Sequence, residues 1–362
     1  VPGYHRNISV RRLLDHLVGG WRAARAFQHI PEAEQPDVIV VSLPTLELAA
    51  AAVRYGKTRG IPVMVDVRDL WPDYFLTPFP EVLHPVVKPL LGPYYAMARY
   101  ACRNATALTG VAEPFVDWAL QHAGRERSRL DRCHYFGYAM PSPDGSAADA
   151  AARFWDQLGV PAVHQTLRLL FLGSLAPSMD LETVIAAVRL ANQRGIPAEL
   201  IICGDGELRP RLEAFANHAP EIHFAGFVEL PHLVEAMRRS DLAVAPYVPE
   251  QFQRMLSNKM VEYLAGGLPI LTPMPQGVLV QLLQSNDCGL VYKDTEDLVR
   301  ILDHLYSDRA RLSTMSENAR SVYESRFSWP VVMDDWEQHL HELSNLKQTS
   351  GSILFSGTDD DQ

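Results

Sequence analysis

The sequence predicts an α/β protein of two doubly wound, parallel-sheet (Rossmann-like) domains, and three observations predict it. Val-, Ile- and Leu-rich runs recur as short uninterrupted blocks, as in strands buried on both faces. Helical stretches of roughly 10–15 residues separate them, which is the connection that parallel strands need. The alternation breaks once, in the Pro/Ser/Gly/Ala/Asp-rich stretch 141–152, and then restarts. A length of 362 residues leaves room for two cores.

In the first domain (1–140), residues 37–42 (Asp-Val-Ile-Val-Val-Ser) read as a strand, 46–57 as a helix and 62–66 as the next strand. Third and fourth strands fall at 106–111 and 134–139. Between the second and third strands, 75–97 is rich in Pro, Leu, Val and Tyr. It reads either as a loop leading into a packed helix or as an apolar ledge for a membrane or a lipid-linked acceptor. After the linker at 141–152, the second domain (153–328) repeats the pattern. Strands are expected at 167–172, 199–203, 222–224, 242–245 and 270–272. Helices are expected at 181–194, 208–217 and 230–239, with a short one from 257 to 265. A helix over 329–345 follows, and the Ser/Gly/Thr/Asp-ending stretch 346–362 reads as a flexible tail.

Composition narrows the functional classes. Hydrophobic residues make up 47% and charged residues 21%, ordinary for a globular chain. Cysteines 102, 133, 203 and 288 lie far apart with no CxxC pair, which fits a reducing compartment and argues against a disulfide framework. No apolar run approaches the roughly 18–20 residues that a membrane-spanning helix needs. The net charge is −10, unevenly placed: residues 1–140 hold 16 Lys+Arg against 13 Asp+Glu. That balance argues against nucleic acid and permits the first domain to face anionic lipid. Thirteen histidines occur without an H-x-x-x-H or H-E-x-x-H spacing, so no metal site is expected.

The most informative stretch is Leu256-Ser-Asn-Lys-Met-Val-Glu-Tyr-Leu-Ala-Gly-Gly-Leu-Pro-Ile-Leu271. Ser257 or Asn258 can cap a short helix, and Gly266 and Gly267 can end it. Lys259 and Glu262 then share one face, as a surface ion pair or as a ligand site. The free amides of such a helix suit a diphosphate, and its carboxylate suits two ribose hydroxyls.

The stretch resembles the nucleotide-sugar site of family 4 glycosyltransferases, retaining enzymes of the GT-B fold. It is closest to their capsular and O-antigen polysaccharide branch. Further matching stretches follow in the family's order. They are Asp66-Val-Arg-Asp-Leu-Trp-Pro-Asp73, Leu172-Gly-Ser-Leu175 with Asp180-Leu-Glu-Thr-Val-Ile185, Ile202-Cys-Gly-Asp-Gly-Glu207, Phe224-Ala-Gly-Phe-Val228 and Ser240-Asp-Leu-Ala-Val-Ala-Pro246. Cys288-Gly-Leu290, Asn318-Ala-Arg320 and Phe327-Ser-Trp329 complete the set. The resemblance implies two Rossmann-like domains facing across a cleft, with the 329–345 helix crossing back to the first. It also implies a nucleotide-sugar donor, no metal or other cofactor, and a lipid-linked or surface-polysaccharide acceptor. The location is expected to be cytoplasmic, with peripheral inner-membrane contact through the first domain. Family members usually carry a strand, a helix and a second strand before the equivalent of Tyr4, so the chain is expected to be N-terminally truncated. An inactive nucleotide-sugar-binding remnant and a sugar-nucleotide 2-epimerase of the same fold remain alternatives.

Site residues follow from the two readings together. Glu262 is the expected ribose ligand. Many family members carry a second glutamate eight positions earlier, where this chain has Arg254, and basic residues where it has Ser174 and Met179. Positive charge for the diphosphate then falls to Lys259, Arg254 and the amides from Asn258 onward. Gly173, Gly204 and Gly206 follow predicted strands, where a ligand approaches closely or a turn is tight. By resemblance, backbone at Phe227 and Val228 reads the base. In the first domain Asp66 and Arg68 read as an ion pair, and Asp69 and Arg68 are the candidate catalytic residues, with Asp69 orienting the acceptor.

Overall fold

The computed structural model describes residues 10–77, 79–248 and 250–355. The chain divides into two compact units. One runs through Tyr135 and resumes at Met333; the other is Phe136–Val332.

The first unit is built on a parallel sheet in the order β1 (Ile39–Leu43), β2 (Val63–Val67), β3 (Ala107–Gly110), β4 (Arg132–Cys133). All of β2 and β3 is buried, which explains their unbroken apolar character. The helices are α1 (Val10–Gln28), α2 (Leu46–Arg59), α3 (His84–Leu90), α4 (Gly92–Asn104) and α5 (Glu113–Ala123). Helix α2 stops at Gly60 and α5 at Gly124, each with φ of +65°, where a side chain would strain the left-handed turn.

The second unit starts with α6 (Gly145–Gln157) and alternates through β5 (Leu167–Leu172), α7 (Leu181–Gln193), β6 (Ala198–Cys203), α8 (Arg209–Ala216) and β7 (Ile222–Gly226). It continues with α9 (Leu230–Arg238), β8 (Leu242–Val244), α10 (Asn258–Ala265), β9 (Ile270–Thr272), α11 (Val278–Asn286), β10 (Gly289–Val291), α12 (Thr295–Ser307) and α13 (Arg309–Val322). Its six strands are all parallel, in the order β10-β9-β8-β5-β6-β7. The chain winds outward from β5 through β6 and β7, then returns to lay β8, β9 and β10 on the other side. Strand order therefore reverses between β5 and β8, and in open parallel sheets the crevice at such a reversal is where ligands bind.

Helix α14 (Trp329–Phe355) carries the chain from the second unit to the first. Its Trp336, Leu340, Leu343 and Leu346 pack with Met64 and Ala107. Beside them the buried His134 and His339 rings share a 2.8 Å hydrogen bond, with Asp335 2.7 Å from His134 Nδ1. Burial first, then the neighbouring His134, push the His339 pKa down to about 4.

Several expectations are corrected. The fourth strand is Arg132–Cys133 rather than 134–139: the His134 amide still donates to the Gly110 carbonyl, but by Tyr138 the backbone pairs with Phe327–Trp329 instead of the sheet. The linker at 141–152 is largely helix: Asp144 accepts from the Ala147 amide as an N-cap, and Ala151 and Trp155 are buried. The flexible tail expected from 346 is helical to Phe355. It is anchored where Lys347 donates to the Pro36 carbonyl, 3.0 Å away, and the remainder, 356–362, lies outside the described residues.

Candidate functional site

A cavity of about 650 Å³ opens at the carboxyl ends of β5, β6 and β7 in the second unit. Gly173 and Ser174 after β5, Gly204 and Asp205 after β6, Phe227 and Val228 after β7, and Lys259 and Glu262 on α10 all line it. Seven of the candidates thus come together. Gly206, Arg254 and Asn258 lie outside the lining, and Arg254 and Asn258 are exposed. Lys259 is the one Lys or Arg among the lining residues.

The lysine lies across Gly173. A Cβ on Gly173, whose φ is +147°, would sit 2.1 Å from Lys259 Nζ. Gly204 (φ +144°) serves a different contact: a Cβ there would be 1.8 Å from the Gly173 carbonyl oxygen. That glycine lets the β6 loop seat against the β5 loop, and a Cβ on Gly206 would likewise crowd Leu175. Loop-on-loop packing therefore accounts for Gly206, which does not touch the cavity.

Lys259 and Glu262 are both half-buried, and neither side chain has a hydrogen-bond or ion-pair partner among the described residues. Burial lowers the Lys259 pKa and raises that of Glu262, and the attraction between them opposes both shifts only in part. No side chain caps α10, because the Ser257 hydroxyl is 3.1 Å from the Tyr247 hydroxyl instead. Among the first amides of α10, that of Met260 donates to the Ser257 carbonyl, 3.0 Å away, while those of Asn258 and Lys259 have no partner among the described residues and suit an anion. Phe227, which also lines the cavity, is 86% exposed, an aromatic face open to stacking.

The first unit holds the remaining candidates. Asp66 is buried, and Arg68 Nε is 2.6 Å from its Oδ2. Ser42 and Thr109 also donate to Asp66, so it is spoken for structurally. Asp73, which sequence reasoning passed over, accepts from the Tyr95 hydroxyl and from the Trp118 indole. In the Asp-Val-Arg-Asp-Leu-Trp-Pro-Asp stretch the outer aspartates hold the fold. Arg68 and Asp69 stand where β2 ends, Arg68 exposed and Asp69 half-buried. Among the described residues, no three His, Cys, Asp or Glu side chains gather as a metal-ligand set.

Two parallel-sheet α/β units, the second with a nucleotide-sized cavity at its strand ends, define the GT-B class of fold. Residues 1–137 match the family model described as glycosyl transferase 4-like domain, and 166–308 match glycosyl transferases group 1. The chain belongs to the family 4 glycosyltransferases. Among curated relatives, it is 22% identical over 262 residues to alpha-D-kanosaminyltransferase of Streptomyces kanamyceticus, a match that covers 66% of each chain. It is 25% identical over 190 residues to the amylovoran biosynthesis glycosyltransferase AmsK of Erwinia amylovora, covering 51% of this chain and 46% of that one. The matched stretches thus span less than two thirds of these relatives. Among solved structures, Anabaena Alr3699/HepE in complex with UDP superposes with a TM-score of 0.58 at 17% identity, over 92% of this chain and 82% of that one.

Proposed function

We propose that the protein is a metal-independent, retaining glycosyltransferase that passes a sugar from a UDP-linked donor to a lipid-linked or surface-polysaccharide acceptor at the cytoplasmic membrane face. The observation that carries this reading is the half-buried Lys259 and Glu262 in the cavity, opposite charges with no hydrogen-bond or ion-pair contact among the described residues. Charge held partly away from water and only in part compensated by its neighbour is costly, and a ligand of matching chemistry reduces the cost. A nucleoside diphosphate matches both ends. Its phosphates meet Lys259 and the α10 amides, and its ribose hydroxyls donate to Glu262. The uridine base takes the Phe227–Val228 end.

In the transfer, the bond from the acceptor oxygen to the anomeric carbon forms as the bond to the β-phosphate breaks. Negative charge grows on the leaving diphosphate, and Lys259 stabilises it without a metal. Asp69 orients the acceptor hydroxyl, whose proton leaves with the departing phosphate, and Arg68 completes the first unit's part. The UDP complex of the structural neighbour makes UDP the first donor to try, and the amylovoran relative supports a glycan acceptor.

A membrane-side acceptor also accounts for the first unit's exposed apolar side chains. Val82, Val86 and Leu90 are 80%, 68% and 77% exposed, with Phe79 and Leu83 beside them in sequence. No helix among the described residues is long and apolar enough to cross a membrane, so the contact proposed is peripheral.

Extracts of cells expressing the gene, given radiolabelled UDP-sugars and bacterial lipid in EDTA, are expected to label the lipid with the anomeric configuration kept. Loss of labelling on chelation with recovery on Mn²⁺ contradicts the metal-independent account, and inversion contradicts the retaining one.

A further inference from the structure

Strands β5 and β8, which flank the reversal in strand order, pair over two rungs only, Leu169 with Leu242 and Leu170 with Ala243. Both continue towards the cavity. In the next rung of that register the Leu172 amide would donate to the Val244 carbonyl. The Tyr263 hydroxyl occupies that place. It accepts from the Leu172 amide at 2.7 Å and donates to the Val244 carbonyl at 3.3 Å. The adjacent amides face outward to other strands, Gly173 to the Cys203 carbonyl and Ala245 to that of Leu271. Tyr263 is 2% exposed, and burial keeps its phenol protonated far above the usual range, so the one hydroxyl serves as both donor and acceptor.

We propose that Tyr263 is a positioning residue for donor binding: its hydroxyl forms an inserted rung that splays β5 from β8 and pins the Leu172–Gly173 backbone beneath Lys259. The inference rests on the reading of the cavity as a nucleoside diphosphate site. Tyr263 follows Glu262 directly on α10, so the rung also fixes how deeply the Glu262 turn sits against the strand ends. Without the hydroxyl, the ring of Phe still blocks closure of the ladder. The Leu172 amide and the Val244 carbonyl are then left unpaired in a dry interior.

The test compares Tyr263→Phe with Tyr292→Phe, whose hydroxyl is equally buried but has no hydrogen-bond partner among the described residues. Amide hydrogen exchange and UDP calorimetry are measured on both. Tyr263→Phe is expected to speed exchange at Leu172–Ser174 by at least ~10-fold, leave β6 and β7 protected, and weaken UDP about 10-fold. Tyr292→Phe is expected to do neither. Unchanged exchange at Leu172, or a uniform loss of protection across the sheet, overturns the positioning role. So does local loss of protection with full UDP affinity. If the unaltered protein binds no UDP, the proposed function fails, and the exchange arm still decides whether the rung exists.

Discussion

Glu262 and Lys259 pay for binding in advance, because each is held partly out of water before a ligand arrives. Burial raises the Glu262 pKa above its usual 4.5 and lowers that of Lys259 below its usual 10.5. In the proposed site Glu262 takes two ribose hydroxyls best as a carboxylate, so affinity is expected to fall as the pH descends through its raised value, beginning above 4.5. In the proposed site Lys259 would hold the diphosphate only as an ammonium, so affinity is expected to fall as the pH rises through its lowered value, below 10.5. In Glu262→Gln the acid limb is expected to vanish, while the titration of UDP itself is common to both proteins. The stability sign is the reverse. A carboxyl whose folded pKa is raised contributes most below its unfolded pKa and costs stability once the pH has risen through the folded one. Glu262→Gln is therefore expected to melt at the same temperature or higher at pH 7. An unchanged acid limb, or a clear fall in Tm, contradicts the account. The pair was legible because three-residue spacing on a short helix is a local pattern. Tyr263 and Asp73 were not, because their partners lie far away in sequence and only the packed sheet brings them together.

At the level of elements, α3 gives the sharpest prediction. Its apolar side chains at 86 and 90 lie one turn apart and face water, an arrangement that costs nothing in a fold that docks on lipid. Full burial of one such side chain contributes roughly 1.5–3 kcal/mol. Val86→Asp with Leu90→Asp is thus expected to reduce co-sedimentation with anionic vesicles by about 10-fold or more without lowering Tm. Equal sedimentation of the variant, or none by the unaltered protein, contradicts a lipid contact at α3. Central strands read well from sequence, because burial on both faces leaves continuous apolar runs. Helix α6 was hidden by its own cap, since the Pro, Asp, Gly and Ser that start it are also linker residues. The far end of α14 was hidden for another reason. Its composition is polar, and its helicity comes from contacts such as Lys347 with Pro36, 311 residues away in the chain.

For the whole molecule, alternating strands and helices are enough to foretell two parallel-sheet units, and the matches over 1–137 and 166–308 place both in one family. Substrate identity was less legible. Basic residues near β5 would make a recognisable phosphate clamp, whereas this chain has Ser174 and Met179 there and Lys259 is the one Lys or Arg among the cavity's lining residues. In the proposed function the second unit binds a nucleoside diphosphate through that lysine and Glu262. Calorimetry with UDP at neutral pH in EDTA tests it most directly, comparing the unaltered protein with Glu262→Ala. A charge-assisted contact contributes roughly 1.5–3 kcal/mol, so the variant is expected to bind about 10- to 150-fold more weakly while remaining folded. Equal affinity in a folded Glu262→Ala protein would contradict the account.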